Sequence, residues 1–131
     1  MNYYAQGGQV LPASQIIMND QFSQKDGAEE VVLGINKLVQ SGDAVILQKN
    51  NSVLVVVKLE PGVVEVHLYT VDNPIPLASA IDYFHKKLLE SDIKRVYGTT
   101  PRTPEIIDLM KSVGIQVLPS DNPEYSWMAN V

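Results

Sequence analysis

The sequence predicts an α/β (α+β) domain in which helices flank a mixed, mostly antiparallel sheet of six to seven strands. Three runs rich in valine, isoleucine and leucine lie between residues 44 and 69, and tight turns separate them. A strand–helix–strand unit follows over residues 63–99. Apolar residues repeat with the period of an amphipathic helix at 28–39 and 103–113. The 131 residues fit a single domain, with residues 1–9 as a loose N-terminal segment.

Composition restricts the function. The apolar content of 45% and the charged content of 19% are typical of a globular domain, and the absence of cysteine excludes disulfides and thiolate metal sites. The net charge of −5 argues against nucleic-acid binding. The sequence has neither an apolar run of about eighteen residues nor a secretory-signal pattern, so we expect no membrane contact and a cytoplasmic location.

Basic residues are unevenly distributed. Six of the ten lie within residues 86–111, and they are Lys86, Lys87, Lys94, Arg95, Arg102 and Lys111. A local basic rim on an acidic protein suits a small anionic ligand.

Two helices are predicted before the sheet. Pro12 begins a short one, because proline is favoured at the first helical position. Asp26 and Glu29 have the spacing of a capping box for the second helix. Its apolar stripe comprises Ala28, Val31, Val32, Ile35, Leu38 and Val39. The segment Ser41–Asp43 ends this helix.

Three strands then form an antiparallel meander. The predicted strands are Ala44–Lys49, Val53–Leu59 and Val63–Tyr69. Asn50 and Asn51 suit a two-residue hairpin turn, and Glu60–Gly62 suits a second tight turn. The middle strand is almost entirely apolar, which predicts burial on both faces.

The third strand of the meander has one apolar and one polar face. Val64, Val66 and Leu68 point one way, whereas Glu65, His67 and Tyr69 point the other. A carboxylate beside a histidine can act as a general base, and the tyrosine could donate a hydrogen bond to a ligand. Such a polar face is also typical of a strand that meets solvent.

The second half of the chain alternates helices with short strands. A helix is predicted over Pro76–Glu90, and a strand parallel to the third one over Ile93–Thr99. Thr103 caps the next helix, and Gly114 ends it in a left-handed conformation. Two closing strands follow, and they are Ile115–Leu118 and Tyr125–Ala129.

Further site candidates lie in this second half. A hydroxyl-rich, basic turn at a helix N-terminus comprises Thr99, Thr100, Arg102 and Thr103. Such a turn predicts an anion pocket or, alternatively, a simple helix cap with a solvated arginine. Tyr125 and Trp127 could form an interface patch in a homo-oligomer or pack into the domain's own core. His85 is predicted at the surface. The sequence has neither metal-ligand spacing nor a serine-nucleophile elbow.

From about Asp26 onward, the order of elements resembles the GNAT-type N-acetyltransferases. Residues 103–115 resemble that family's helix after its fifth strand, which commonly ends at a glycine. Glu65-Val66-His67 resembles the strand before the cofactor helix in small, phage-type members.

The resemblance implies acetyl-CoA in a V-shaped opening between the strands near His67 and Tyr97. The pyrophosphate would bind backbone amides where the next helix begins. The candidate cofactor-binding residues are Tyr69, Val71, Asn73, Thr99, Arg102 and Thr103. Glu65 or His67 would be the base that deprotonates an amine.

The sequence also departs from the family pattern. The segment Val71–Leu77 lacks the family's glycines, carries two prolines, and places Asp72 where a pyrophosphate would bind. Met110 occupies the position of the family's tyrosine acid. Three functions therefore stay open: an acyl-CoA N-acyltransferase-related protein, a non-catalytic interaction module such as a viral or oligomeric one, and a protein that binds a small anionic ligand.

Overall fold

The computed structural model describes residues 11–20, 27–99 and 103–131. Its elements, in chain order, are α1 Ala13–Met18, α2 Ala28–Gln40, β1 Ala44–Lys49, β2 Ser52–Glu60, β3 Val63–Thr70, α3 Pro74–Glu90, β4 Arg95–Gly98, α4 Thr103–Ser112, β5 Val117–Pro119 and β6 Trp127–Asn130. The six strands found in these ranges form one sheet with the order β1-β2-β3-β4-β6-β5. Only β3 and β4 pair in parallel, which confirms the predicted fold class.

Tight turns hold the elements in this order, as predicted. Asn50 and Asn51 form the two-residue turn between β1 and β2, and Asn50 adopts a left-handed φ of 55°. Gly62 has a φ of 80° in the turn before β3, and Gly114 has a φ of 91° after α4. Both glycines occupy conformations that side chains disfavour, so the turns depend on them.

β2 separates two apolar cores, one on each face of the sheet. Leu54 and Val56 pack with α3 and α4, whereas Val53 and Val55 pack with α1 and α2. The prediction of burial on both faces is therefore confirmed for the first half of β2, and its last residues, Lys58–Glu60, are exposed. The predicted stripe of α3 is buried in the first core, and it comprises Leu77, Ala80, Ile81, Phe84 and Leu88.

Several element ends differ from prediction because hydrogen bonds extend or interrupt the local pattern. α3 begins at Pro74 rather than Pro76, since the N–H of Leu77 already donates to the carbonyl of Asn73. β5 begins at Val117, because the N–H of Ile115 donates to Met110 and closes α4. β4 starts at Arg95 and β6 at Trp127, each two residues later than predicted.

Two further observations concern the helices. The predicted cap Asp26 lies outside the described residues, and Gly27 occupies the N-cap position of α2. None of the helices in the described ranges is both long and apolar enough to cross a membrane.

Candidate functional site

The two parallel strands separate part-way along their length. β3 and β4 pair from Val63 with Arg95 to Val66 with Gly98. β3 then continues to Thr70, and no other strand in the described ranges pairs with that edge. An opening therefore lies beside His67 and beyond Gly98, where the sequence predicted one.

A cavity of about 450 Å³ occupies this opening. Its walls are mostly apolar and come from β3, α3, α4 and β6, with Leu68, Phe84, Met110 and Trp127 among them. Trp127 is buried in the core, which confirms one of the two alternatives predicted for it. The size and the apolar lining are typical of a small-molecule site.

The polar groups of the cavity lie mainly on β3 and on the segment after α1. His67 and Tyr69 line it from β3, and buried Asp20 lines it from the end of α1. His85 also lines the cavity and is half-buried, so the expectation that it lies at the surface was wrong. The residue Asp20 was missed by the sequence analysis, because no local pattern links it to a strand fifty positions away.

The free edge of β3 presents main-chain groups to the opening. The N–H of Thr70 donates to Asp20 Oδ1 at 2.7 Å, whereas the N–H of Val71 donates to the carbonyl of Asn51, beside β2. Residues two apart in a strand direct their main-chain groups to the same side. The N–H and C=O of Leu68 therefore face the opening, as those of Thr70 do.

Glu65 and His67 form a pair, as the sequence suggested. His67 Nε2 lies 3.1 Å from Glu65 Oε2, and the side chains are 38% and 23% exposed. A histidine that donates Nε2–H to a carboxylate keeps its ring oriented and leaves Nδ1 with a lone pair. The pair can therefore accept a proton from a nucleophile.

Tyrosines surround this pair. Burial, and secondarily the negative charge of Asp20, raises the pKa of Tyr69, so its hydroxyl remains a proton donor at neutral pH. Tyr97 pairs with Glu65 across the strands and stacks on Tyr125 with ring centroids 5.1 Å apart. Burial, followed by the charge of Glu65, raises the pKa of Tyr125.

Proteins of known structure share this architecture. An acetyltransferase from Bacillus subtilis in complex with CoA has 9% identity and a TM-score of 0.54, over 94% of this chain and 92% of that one. The N-acetyltransferase PseH from Campylobacter jejuni in complex with acetyl coenzyme A has 15% identity and a TM-score of 0.52, with 92% of each chain covered. A ribosomal-protein-S5-alanine acetyltransferase from Vibrio fischeri has 7% identity and a TM-score of 0.54, over 93% of this chain and 89% of that one.

The fold is that of the GNAT acetyltransferases. At 7–15% identity the likeness establishes the architecture and leaves the chemistry to the residues of this chain. No protein-family model and no curated protein matches the sequence.

The segment that would hold the pyrophosphate in a GNAT fold is arranged differently from expectation. The carboxylate of Asp72 is buried and accepts hydrogen bonds from the N–H of Asn51 at 2.9 Å and the hydroxyl of Ser52 at 2.6 Å. The charge therefore points into the protein rather than toward a ligand. Val71 is also buried, and its N–H is used by Asn51, so the amide predicted to bind the cofactor is occupied.

The first turn of α3 offers few donors. Asn73 is exposed and precedes the helix, and Pro74 and Pro76 carry no N–H. Ile75 alone supplies an N–H from the first three helical residues. The cleft is therefore lined mainly by apolar side chains and has few main-chain amides at the start of α3.

Of the remaining predicted cofactor contacts, Thr99 is the one that the described structure places at the opening. Thr99 is exposed and lines the cavity directly after β4. Thr103 begins α4, and Thr100 and Arg102 lie outside the described residues. Over the described ranges, no group of three or more histidines and acidic residues is arranged to hold a metal ion.

Proposed function

We propose that this protein binds an acyl-CoA thioester in the opening between β3 and β4 and transfers the acyl group to an amine. The observation that carries the proposal is the end of the strand pairing at Val66 and Gly98, beside an apolar cavity and the Glu65–His67 pair. Two proteins of the same fold were solved with CoA or acetyl coenzyme A, which supports the choice of ligand.

Main-chain and apolar groups suit the pantetheine arm of CoA. This arm is a narrow chain that contains amide groups, and the N–H and C=O of Leu68 face the opening where such amides would pass. Phe84 and Met110 supply apolar wall on the other side. Ligand amides would pair with main-chain groups that no neighbouring strand in the described ranges satisfies.

The chemistry follows from the polar face of β3. His67 takes a proton from the ammonium group of the acceptor, and the resulting amine attacks the thioester carbonyl carbon. The nitrogen then loses a second proton, which replaces the one that the leaving sulfur receives. The carbon–sulfur bond then breaks, and the departing thiolate takes a proton. Tyr69, which stays protonated and lines the same cavity, is the donor we assign to the sulfur.

A second candidate is ligand binding without turnover. Two observations favour it, namely the prolines in the first turn of α3 and Met110 in the cavity wall, where a thioether cannot transfer a proton. In that case the cleft would hold an acyl-CoA or another anionic ligand and signal its presence through binding alone.

Thermal shift and thiol release separate these candidates. Acetyl-CoA at concentrations well above its Kd should raise the Tm by mass action, and release of free thiol in the presence of amines should follow. His67→Gln should lower kcat by roughly 10²–10⁴-fold while it changes acetyl-CoA affinity little, because the base acts on the acceptor. Lys86→Gln, on the exposed face of α3, is the control and should leave both values unchanged.

The thermal-shift and thiol-release results distinguish the two candidate functions. A shift without thiol release for any amine supports the binding-only candidate. No shift at millimolar acetyl-CoA rejects both the transferase and an acyl-CoA sensor.

A further inference from the structure

A second cavity, the α2 groove, lies on the other face of the sheet. Its volume is about 340 Å³, and it is an open groove lined by α2, β2 and β3. The wall from α2 is one helical face with residues at the spacing of successive turns, and it comprises Val31, Gly34, Ile35 and Leu38. Val55 and Val57 form the floor.

Polar side chains line the α2 groove on one side only. They come from β3 and belong to Glu65, His67 and Tyr69. Glu65 is the one acidic residue in the lining, and no lysine or arginine of the described residues takes part. Among the described residues, the groove therefore has one carboxylate, on the β3 wall, and apolar side chains on the α2 and β2 walls.

Gly34 widens the α2 groove. It lies in the interior of α2, where glycine is less favourable than alanine. Its φ is not positive, and a Cβ built on it would meet nothing within 4 Å, so neither the backbone nor a close contact requires glycine. What the missing side chain provides is space in the groove wall.

The α2 groove and the opening between β3 and β4 share two lining residues on β3. His67 and Tyr69 line both cavities, because the strand that carries them forms the boundary between the two. A molecule in the groove can thus present one atom to His67 while a thioester occupies the opening on the other side.

We propose that the α2 groove binds the acyl acceptor, and that the acceptor is a primary amine carried on an apolar chain or ring. Its ammonium group is attracted by Glu65 and loses a proton to His67, and its apolar part packs against the α2 and β2 walls. A polyamine would place a second cation against valines 55 and 57, and an amino acid would bring a carboxylate next to Glu65. This inference rests on the proposed acyl transfer for its catalytic role, but binding of the amine is measurable without it.

The first test compares amines directly. Calorimetric titration should show that phenethylamine binds the protein at least tenfold more tightly than spermidine or glutamate. In a series of linear amines, each added pair of methylenes should raise the affinity about tenfold until the groove is full. Acyl transfer from acetyl-CoA should follow the same order in kcat/KM.

Variants of neighbouring residues on α2 give a matched control. Gly34→Leu fills the groove and should lower phenethylamine affinity at least tenfold, and Gly34→Ala should lower it less. Both should leave acetyl-CoA affinity and thermal stability at or above those of the original protein, because leucine and alanine favour helix more than glycine does. Leu33→Gln changes the adjacent side chain, which is 60% exposed and does not line the groove, so amine affinity should stay unchanged.

Two results would overturn the inference. One is equal or tighter binding of spermidine or glutamate compared with phenethylamine. The other is unchanged phenethylamine affinity in a folded Gly34→Leu variant. A failure of acetyl-CoA to bind rejects the proposed function instead, and the amine titrations still decide whether the groove is an amine site.

Discussion

Replacing Gly98 with alanine should destabilise the protein by overpacking the end of the β3–β4 ladder. Gly98 pairs with Trp127 on β6, and the indole ring lies where a side chain on residue 98 would project. A Cβ built at this position is 2.3 Å from Cζ2, 2.4 Å from Cε2 and 2.7 Å from Nε1 of Trp127. The close contact involves a buried ring and two hydrogen-bonded strands, so neither partner can move freely.

The distances give the size of the effect. Carbon atoms pack best at about 3.5–4.0 Å, so the new Cβ would overlap the ring by more than about 1 Å. Overpacking of a core typically costs about 1–3 kcal/mol, and we expect the upper end, about 3 kcal/mol, because two ring carbons are involved. For a domain of this size that corresponds to a fall in Tm of roughly 10 °C.

Urea unfolding followed by circular dichroism measures this loss. Gly34→Ala is the control, since its Cβ meets no atom within 4 Å and the same chemical change should stabilise the protein by up to about 1 kcal/mol. In a Trp127→Leu background the smaller side chain removes the overlap, so Gly98→Ala should then cost less than about 1 kcal/mol. An unfolding midpoint equal to that of the original protein, or a cost that persists with Leu at 127, would refute the argument.

Two further predictions concern buried polar groups. Asp72→Ala should lower the free energy of unfolding by about 3 kcal/mol, because it removes the carboxylate that accepts from the N–H of Asn51 and the hydroxyl of Ser52. A loss under about 1 kcal/mol, measured by urea unfolding, would contradict this role for Asp72. Burial raises the pKa of Tyr69 above its usual value of 10.0, so the folded state keeps the proton at a pH where the unfolded chain releases it. The stability that Tyr69 contributes is therefore fully present below pH 10 and declines as the pH rises further. Tyr69→Phe should therefore lose less stability than the original protein between pH 9 and 11, and parallel stability curves would show that Tyr69 is not the group responsible.

Much of the fold could be predicted from local patterns. The alternation of side chains along β3, the Asn50–Asn51 turn and the left-handed end of α4 at Gly114 each depend on a few neighbouring residues. Such preferences arise from backbone sterics and from the periodicity of helices and strands, so they do not depend on contacts with distant residues. The Glu65–His67 pair belongs to this class, because residues two apart on a strand share a face.

Other features depended on partners far along the chain. The direction of Asp72 follows from two donors about twenty positions earlier, the N–H of Asn51 and the hydroxyl of Ser52. They make a buried acceptor of a carboxylate that was expected at the cofactor. His85 reaches the cavity because α3 packs over the opening, and a helical pattern alone placed it at the surface.

Local sequence specifies which segments form helices and strands and which of their faces are apolar, because those properties are set within one or two turns of chain. Three features depend on how the elements pack. β3 extends beyond its pairing with β4 after Val66, Asp20 accepts a hydrogen bond from the N–H of Thr70, and Gly34 leaves room in the α2 groove. These are relations between elements up to fifty residues apart, and their outcome depends on how strands and helices pack rather than on the preference of any single segment.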